Sequence, residues 1–265
     1  MERASGVSVR VYITGQVRVE SAGRLIDERH FPSRQARMLF GYLVCRRQRP
    51  VTRAELAEAL WPGTPPAAWD SALSALISKL RTLLKRVAPP SQLSVTSAFG
   101  TYALHVGDDV WIDREAAADA IDQAEGLMRA DRWREAWAPG NIAAITTRQP
   151  FLVGEEGEWI EAERARLHAI LLRALECLAD IWLRNGEPSL ALGAARESVA
   201  LEPFREAGYR RLMRLHAALG DRAEAVRVYD ACRALLKQEL GTAPAPETQR
   251  VYREVRDAQR AAEDV

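Results

Sequence analysis

Residues 67–87 read AAWDSALSALISKLRTLLKRV, and this stretch has the spacing of an amphipathic helix. With the residues placed at 100° intervals, the apolar side chains fall within one stripe. That stripe consists of Leu73, Leu76, Ile77, Leu80 and Leu84. The opposite stripe contains Ser71, Ser74, Ala75, Ser78, Thr82 and Lys85, with Lys79 and Arg81 on its flanks. We expect the apolar stripe to pack inward and the small, partly basic stripe to stay exposed.

Two shorter helices are predicted upstream of this segment. Ser33 is a favourable N-cap and is followed by apolar residues at helical spacing. Thr52 and Glu55 have the spacing of a capping box, which predicts a second helix start. The proline-rich loop 62–66 cannot be helical and separates that helix from the third.

Alternating apolar residues predict strands on both sides of the helices. Residues 7–31 alternate in this way and are interrupted by turn residues, which favours a small antiparallel sheet. Strands at 93–96 and 102–106, joined by a turn at Phe99–Gly100, favour a β-hairpin. Strands, three helices and a hairpin, in that order, are typical of a winged helix-turn-helix with an N-terminal sheet.

The second half of the chain is predicted to be almost entirely helical. Gly186–Glu187 recurs as Gly220–Asp221 after 34 residues, the period of a tetratricopeptide helix pair. Residues 131–136 resemble a third, irregular copy. The Gly- and Pro-containing segment 139–156 is expected to form a long connection.

These patterns predict a mainly α protein with a small β component and two domains. The winged helix occupies residues 1–110, and a tetratricopeptide-like helical domain occupies residues 111–265. The first domain contains 15 Lys or Arg against 9 Asp or Glu, whereas the second contains 22 against 27. A basic half beside an acidic half indicates that the first domain meets an anion.

Nothing in the sequence favours an enzyme, a metal site or a cofactor. The four histidines lack metal-ligand spacing, and the three cysteines are scattered. The acidic run at 155–163 precedes a helix, where its charges would be stabilised by the helix dipole. We find no phosphate-binding loop motif and no apolar run of membrane-spanning length, and we expect a cytoplasmic, nucleoid-associated protein without membrane contact.

Several motifs, taken in order, resemble the SARP family of actinobacterial antibiotic regulatory proteins. In the first half they are Arg10–Gly15, Ser33–Arg37, Val51–Leu56, Ala59–Pro62 and Leu76–Arg81. The DNA-binding domain of that family is similar to that of OmpR and PhoB. In the second half, residues 218–255 resemble the bacterial transcriptional activator domain. Its matching motifs are Gly220–Ala225, Tyr229–Arg233 and Glu239–Pro244.

The resemblance implies a transcriptional activator that binds double-stranded DNA at direct repeats near promoters. Such proteins bind as homodimers and recruit RNA polymerase holoenzyme with its sigma factor. Positions matching the family's groove-facing residues are Ser71, Ser74, Ala75, Ser78 and Lys79, to which the helical wheel adds Arg81, Thr82 and Lys85. The loop 62–66, with Gly63 and Thr64, matches a segment that touches polymerase or phosphate. The wing at 95–102 would contribute Thr96, Ser97 and Thr101.

Other functions remain open at this point. The wing segment Ser97–Ala98–Phe99 carries no arginine, and the third helix carries fewer than is usual in the family. The chain could instead be a protein-interaction scaffold, or a partner-gated regulator, whose winged helix binds DNA weakly or not at all. A ligand-gated repressor is a further alternative. The arginines at positions 34–53 fit either phosphate contacts or a solvated surface.

Overall fold

The computed structural model describes residues 9–263, with side chains described for residues 9–257. The predicted alternation at Val7 therefore lies outside the described residues. Contacts divide the chain into two compact units. The first contains the chain up to residue 118 together with residues 145–168, and the second contains residues 119–144 and the chain from 169 onward.

The first unit contains the strands and the first three helices. Its strands are β1 (Val9–Tyr12), β2 (Arg18–Ser21), β3 (Arg24–Ile26), β4 (Val51–Thr52), β5 (Leu93–Ala98), β6 (Thr101–Val106) and β7 (Val110–Ile112). Its helices are α1 (Arg34–Cys45), α2 (Arg53–Leu60) and α3 (Trp69–Leu84). Strand order is β3-β2-β1-β7 in one sheet and β4-β6-β5 in the other. The predicted winged helix-turn-helix is confirmed.

Two details of the sheets differ from the sequence prediction. The alternating segment was expected to extend to residue 31, but its last strand, β3, ends at Ile26. Asp27 then caps a 3₁₀ turn over Glu28–His30 by accepting a hydrogen bond from the backbone of Arg29. In addition, β7 pairs in parallel with β1 and was not predicted, because three residues show no periodicity.

The capping box predicted at the start of α2 is present. The Thr52 side chain accepts from the backbone nitrogen of Glu55 at 3.2 Å, and the Thr52 nitrogen donates to the Glu55 carboxylate at 3.0 Å. Arg49 also donates to this carboxylate, at 2.6 Å. The Arg49 guanidinium, helped by the Thr52 backbone, lowers the pKa of Glu55 to about 2.

Residues 145–168 complete the core of the first unit, although they lie beyond the boundary predicted at residue 110. Phe151 forms an antiparallel bridge with Thr14, and the Gly15 nitrogen donates to the Pro150 carbonyl at 2.7 Å. The Leu152 side chain lies against Gly41, where an added Cβ would be 3.3 Å from a Leu152 methyl. The buried side chains that this segment adds to the core are Phe151, Leu152, Ile160 and Leu167.

A buried carboxylate fastens the same segment to α1. The side chain of Glu155 is 1% exposed and accepts hydrogen bonds from Arg34 and Arg37. Arg164 donates to the carbonyls of Phe151, Leu152 and Glu155, which holds the loop shape. Glu155 therefore pairs with arginines that lie more than 100 residues away in the sequence. The expected stabilisation by a helix dipole does not account for its position.

Replacing Glu155 by alanine should destabilise the protein. Removing one partner of a buried ion pair costs about 3–5 kcal/mol, and we expect the lower end because Arg34 is 59% exposed and can rehydrate. Chemical denaturation would measure the loss. The matched control is Glu156→Ala, an exposed neighbour expected to stay within about 0.5 kcal/mol. Equal stability of the two variants would contradict a structural role for Glu155.

The second unit is helical. Its chain contributes to α4 (Asp113–Arg129), α5 (Trp133–Thr147), α6 (Glu158–Arg184), α7 (Pro188–Leu201), α8 (Glu206–Ala218), α9 (Arg222–Leu240) and α10 (Pro246–Glu263). Among the described residues, no helix is both long enough and apolar enough to cross a membrane.

The 34-residue repeat appears in the structure as a repeated turn. Gly186 and Gly220 both have φ of +77°, and the next residue in each case donates its backbone N–H to the carbonyl five residues earlier. Asp131 has φ of +56° and is followed by the same bond, from Arg132 to Leu127 at 2.9 Å. The irregular third copy therefore has the same helix-ending turn.

The prediction of a long connection at residues 139–156 is wrong for the first half of that segment. Helix α5 continues through Pro139 and ends at Thr147. Gly140 lies so close to α6 that an added Cβ would be 3.2 Å from a Leu178 methyl. Packing of α5 against its neighbour therefore outweighs the low helix propensity of proline and glycine.

Candidate nucleic-acid interface

Helix α3 is oriented as its sequence predicts. The side chains of Leu73, Ile77, Leu80 and Leu84 are at most 2% exposed, and Leu76 packs partly buried against the same core. Leu83 is also buried, which the narrower predicted stripe did not include. This face fixes the helix to the first unit and turns the opposite face outward.

The predicted groove-facing residues lie together on the outer face of α3. Seven are exposed: Ser71, Ser74, Ala75, Ser78, Lys79, Thr82 and Lys85. Arg81 is only partly exposed. A row of short side chains leaves the helix backbone accessible, so a groove about 12 Å wide could admit it closely.

Hydroxyl groups on this face mainly offer acceptors. Ser71 donates to the Ala68 carbonyl at 2.9 Å, and Thr82 donates to the Ser78 carbonyl at 3.1 Å. With the proton used within the helix, each oxygen still has lone pairs directed outward. Such oxygens can accept from the exocyclic amino groups of adenine or cytosine.

Two arginines at the interface hold protein elements together. Arg53 donates to Asp70, to Ser74 Oγ at 3.0 Å and to the Tyr102 hydroxyl at 2.6 Å, and so links α2, α3 and β6. Arg81 donates to the Val95 carbonyl at 2.9 Å and to Ser97 Oγ at 3.0 Å. These hydrogen bonds between protein elements use three residues that were predicted to contact DNA: Ser74, Arg81 and Ser97.

The free positive charge of the interface resides mainly in lysines. Within the described part of the chain, neither Lys79 nor Lys85 has an ion-pair partner, and both are exposed. Arg86 is exposed as well, and the sequence analysis missed it because it lies at the end of the predicted helix. These side chains can reach phosphates on a duplex.

Most arginines before α3 are neutralised by carboxylates of the same unit. Arg47 binds Glu115 through two hydrogen bonds of 2.6 and 2.5 Å, and Arg49 binds Glu55. Arg46 lies over the ring of Tyr42, 5.5 Å from its centroid. The arginines at positions 34–53 therefore fit neither alternative from the sequence, because most of them are paired within the protein and are neither fully solvated nor free to bind phosphates.

The wing and the loop before α3 are both exposed. Thr96 is exposed and Thr101 half-buried, and their hydroxyls donate to carbonyls within the hairpin. In the loop 62–66, Gly63 has φ of +72°, and its nitrogen donates to the Glu58 carboxylate at 3.3 Å. Thr64 is exposed on this loop. The Gly63 nitrogen can meet a phosphate only if Glu58 releases it.

The described residues show no geometry suited to metal binding. No group of three or more His, Cys, Asp or Glu side chains among them is arranged to hold an ion. Burial raises the pKa of the Cys45 thiol to about 12 and that of Cys177 to about 11. Both thiols are therefore protonated and unreactive at neutral pH.

Comparison with known proteins identifies the second half of the chain. A family model described as "Bacterial transcriptional activator domain" matches residues 112–256. The regulatory protein AfsR of Streptomyces coelicolor is 30% identical over 257 residues, covering 97% of this chain and 25% of AfsR. The transcriptional regulator RedD of the same organism is 26% identical over 223 residues, covering 83% of this chain and 63% of RedD. The chain thus spans about a quarter of the length of AfsR.

A solved structure has the same fold. Mycobacterium tuberculosis EmbR, determined in complex with a low-affinity phosphopeptide, superposes with a TM-score of 0.83 at 20% identity. The match covers 95% of this chain and 65% of EmbR. The order of winged helix and tetratricopeptide-like helices is therefore shared with EmbR. Because the family model covers more than half of the chain, the chain belongs to the SARP family, with its bacterial transcriptional activator domain at residues 112–256.

Proposed function

We propose that this protein is a transcriptional regulator that binds double-stranded DNA through the outer face of α3. The observation that carries the proposal is the segregation of α3 into a buried leucine face and an exposed face of small side chains with two unpaired lysines. The second helix of a helix-turn-helix enters the major groove in this orientation. The similarity to AfsR and RedD, which are named as regulators, supports the same function. The protein would act by binding and without catalysis, in the cytoplasm at the nucleoid.

The interface divides into contacts that read bases and contacts that position the helix. Ser71, Ala75 and Ser78 are short enough to approach base edges, whereas Lys79 and Lys85 would bind phosphates. We further propose that the protein binds direct repeats as a homodimer. Recruitment of RNA polymerase holoenzyme through its sigma factor would involve the exposed loop 62–66.

Selection from a random-sequence duplex library, followed by gel shifts of the enriched duplex, tests DNA binding. Each phosphate contact should contribute about −0.9 to the slope of log affinity against log salt, so the shift should weaken strongly between about 50 and about 200 mM salt. In vitro transcription from the enriched site, with and without the protein, then distinguishes activation from repression. No enrichment and no salt-sensitive shift would refute the proposal.

Lys79→Ala should weaken binding to every duplex by a similar factor. The side chain would contact phosphate, so its removal should reduce the salt slope by about one without altering the preferred sequence. Gel shifts across a salt series measure this slope. Arg29→Ala is a matched control, because Arg29 is exposed but paired with Asp27 far along the chain from α3. An unchanged slope in the Lys79 variant would remove Lys79 from the interface.

A protein-interaction scaffold is the second candidate. It is favoured by the internal pairing of Arg47, Arg49 and Arg53, which leaves the first unit with fewer free cations than its composition suggests. A scaffold would show no duplex preference in the selection experiment.

A further inference from the structure

The tip of the wing carries a fully exposed aromatic side chain. Strands β5 and β6 pair up to Ala98 and Thr101, so the turn consists of Phe99 and Gly100 alone. The Phe99 side chain is fully exposed, at 105% of its reference area. Other large apolar residues exposed in the described chain reach at most 60%.

The backbone of this turn is poorly suited to phenylalanine. Phe99 has φ of +49° and Gly100 φ of +76°, and two-residue hairpin turns with both residues left-handed favour Asn-Gly or Gly-Gly. A bulky residue at positive φ is strained, and an exposed aromatic ring gains nothing from burial. Neither the turn nor the core requires Phe99, and strained residues of this kind cluster at binding sites.

The wing is held beside the proposed recognition helix. Arg81 of α3 donates to the Val95 carbonyl and to Ser97 Oγ, two positions from the turn. Residues 93–106 contain no Asp, Glu, Lys or Arg. A duplex approaching α3 would therefore meet a wing that neither repels phosphates nor attracts them, and whose outermost group is an apolar ring.

We propose that Phe99 contacts the minor groove next to the major groove occupied by α3, and that its ring inserts against or between base steps there. Apolar wedges used in this way partly unstack a step and bend the duplex. This inference rests on the proposed DNA binding and adds to it a contact whose energy is largely independent of salt. Insertion of the ring would also favour flexible pyrimidine–purine steps at the contacted position of the DNA.

Phe99→Asn separates the two roles of this residue. Asparagine suits the left-handed turn, so the variant should melt at the same temperature as the wild type or higher. Its affinity for the selected duplex should fall roughly tenfold, as expected for the loss of one aromatic contact to bases. The salt slope should not change, in contrast to Lys79→Ala.

Two further variants act as controls. Phe99→Leu keeps an apolar wedge and should retain most of the affinity. Leu25→Asn removes another exposed apolar residue, 50% exposed on β3, and should leave binding unchanged.

Circularly permuted duplexes should show a bend with the wild type that decreases with Phe99→Asn. 2-Aminopurine placed in the contacted step should become more fluorescent only when phenylalanine or leucine is present.

The outcomes distinguish this inference from the proposed function. If the wild type binds the duplex and Phe99→Asn matches it in affinity and bend, the minor-groove contact is refuted while DNA binding stands. If the variant binds DNA normally but fails to recruit RNA polymerase, Phe99 contacts protein and the inference is likewise overturned. If the wild type binds no duplex, both proposals are refuted.

Discussion

A fragment that ends at residue 110 should fail to fold stably, even though it contains the strands, helices and hairpin of the winged helix. It lacks the four buried apolar side chains between residues 151 and 167 and the carboxylate of Glu155. Full burial of such side chains contributes about 1.5–3 kcal/mol each. Their combined loss is comparable with the total stability of a small domain, about 5–15 kcal/mol. Circular dichroism melting and amide dispersion in NMR spectra would measure the outcome.

A fused fragment provides the matched control. Residues 1–118 joined through a flexible glycine–serine linker to residues 145–168 restore the missing core and should unfold cooperatively. If the fragment ending at 110 melts as cooperatively as the fused one, the segment 145–168 does not belong to the first unit. Full-length protein with Leu152→Ala should show an intermediate loss.

Leu80→Ala should destabilise the full chain by about 2–5 kcal/mol, because a fully buried leucine leaves a cavity when it is truncated. The expected signature is a lower midpoint of chemical denaturation with an unchanged denaturant dependence. Ser78→Ala, two residues earlier on the exposed face, should change stability by less than about 0.5 kcal/mol.

The pair of variants tests the orientation of α3 directly. Below the melting temperature of the Leu80 variant, its DNA affinity should be close to that of the wild type. Ser78→Ala should instead change the order of preferred sequences without changing the melting temperature. A stable Leu80 variant together with a destabilised Ser78 variant would show that the faces are reversed.

The orientation of α3 could be predicted because a helix 16 residues long repeats its pattern several times. Leu73, Ile77, Leu80 and Leu84 follow the period of 3.6, and the serines follow it on the other side. Capping by Thr52 was predictable for the same reason, since its partner lies three residues away. Local spacing alone determines both features.

Contacts between distant parts of the chain could not be read in this way. Glu155 meets Arg34 across 121 residues, and its surroundings in the sequence resemble any acidic helix start. The engagement of Arg81 with Val95 likewise depends on how the wing folds back. Pro139 and Gly140 favour a loop locally, and only the neighbouring helix makes α5 continuous through them.

The first unit is built from two separate segments of the chain, and this affects how it folds during synthesis. A ribosome makes about 5–20 residues each second, so roughly 3–12 seconds separate the synthesis of residue 110 from that of residue 168. During that interval the nascent chain cannot bury the apolar surface around Gly41, because Leu152 has not yet been made or has not left the ribosome. Apolar surface exposed in this way favours aggregation, and slower synthesis of residues 119–144 would lengthen the exposure.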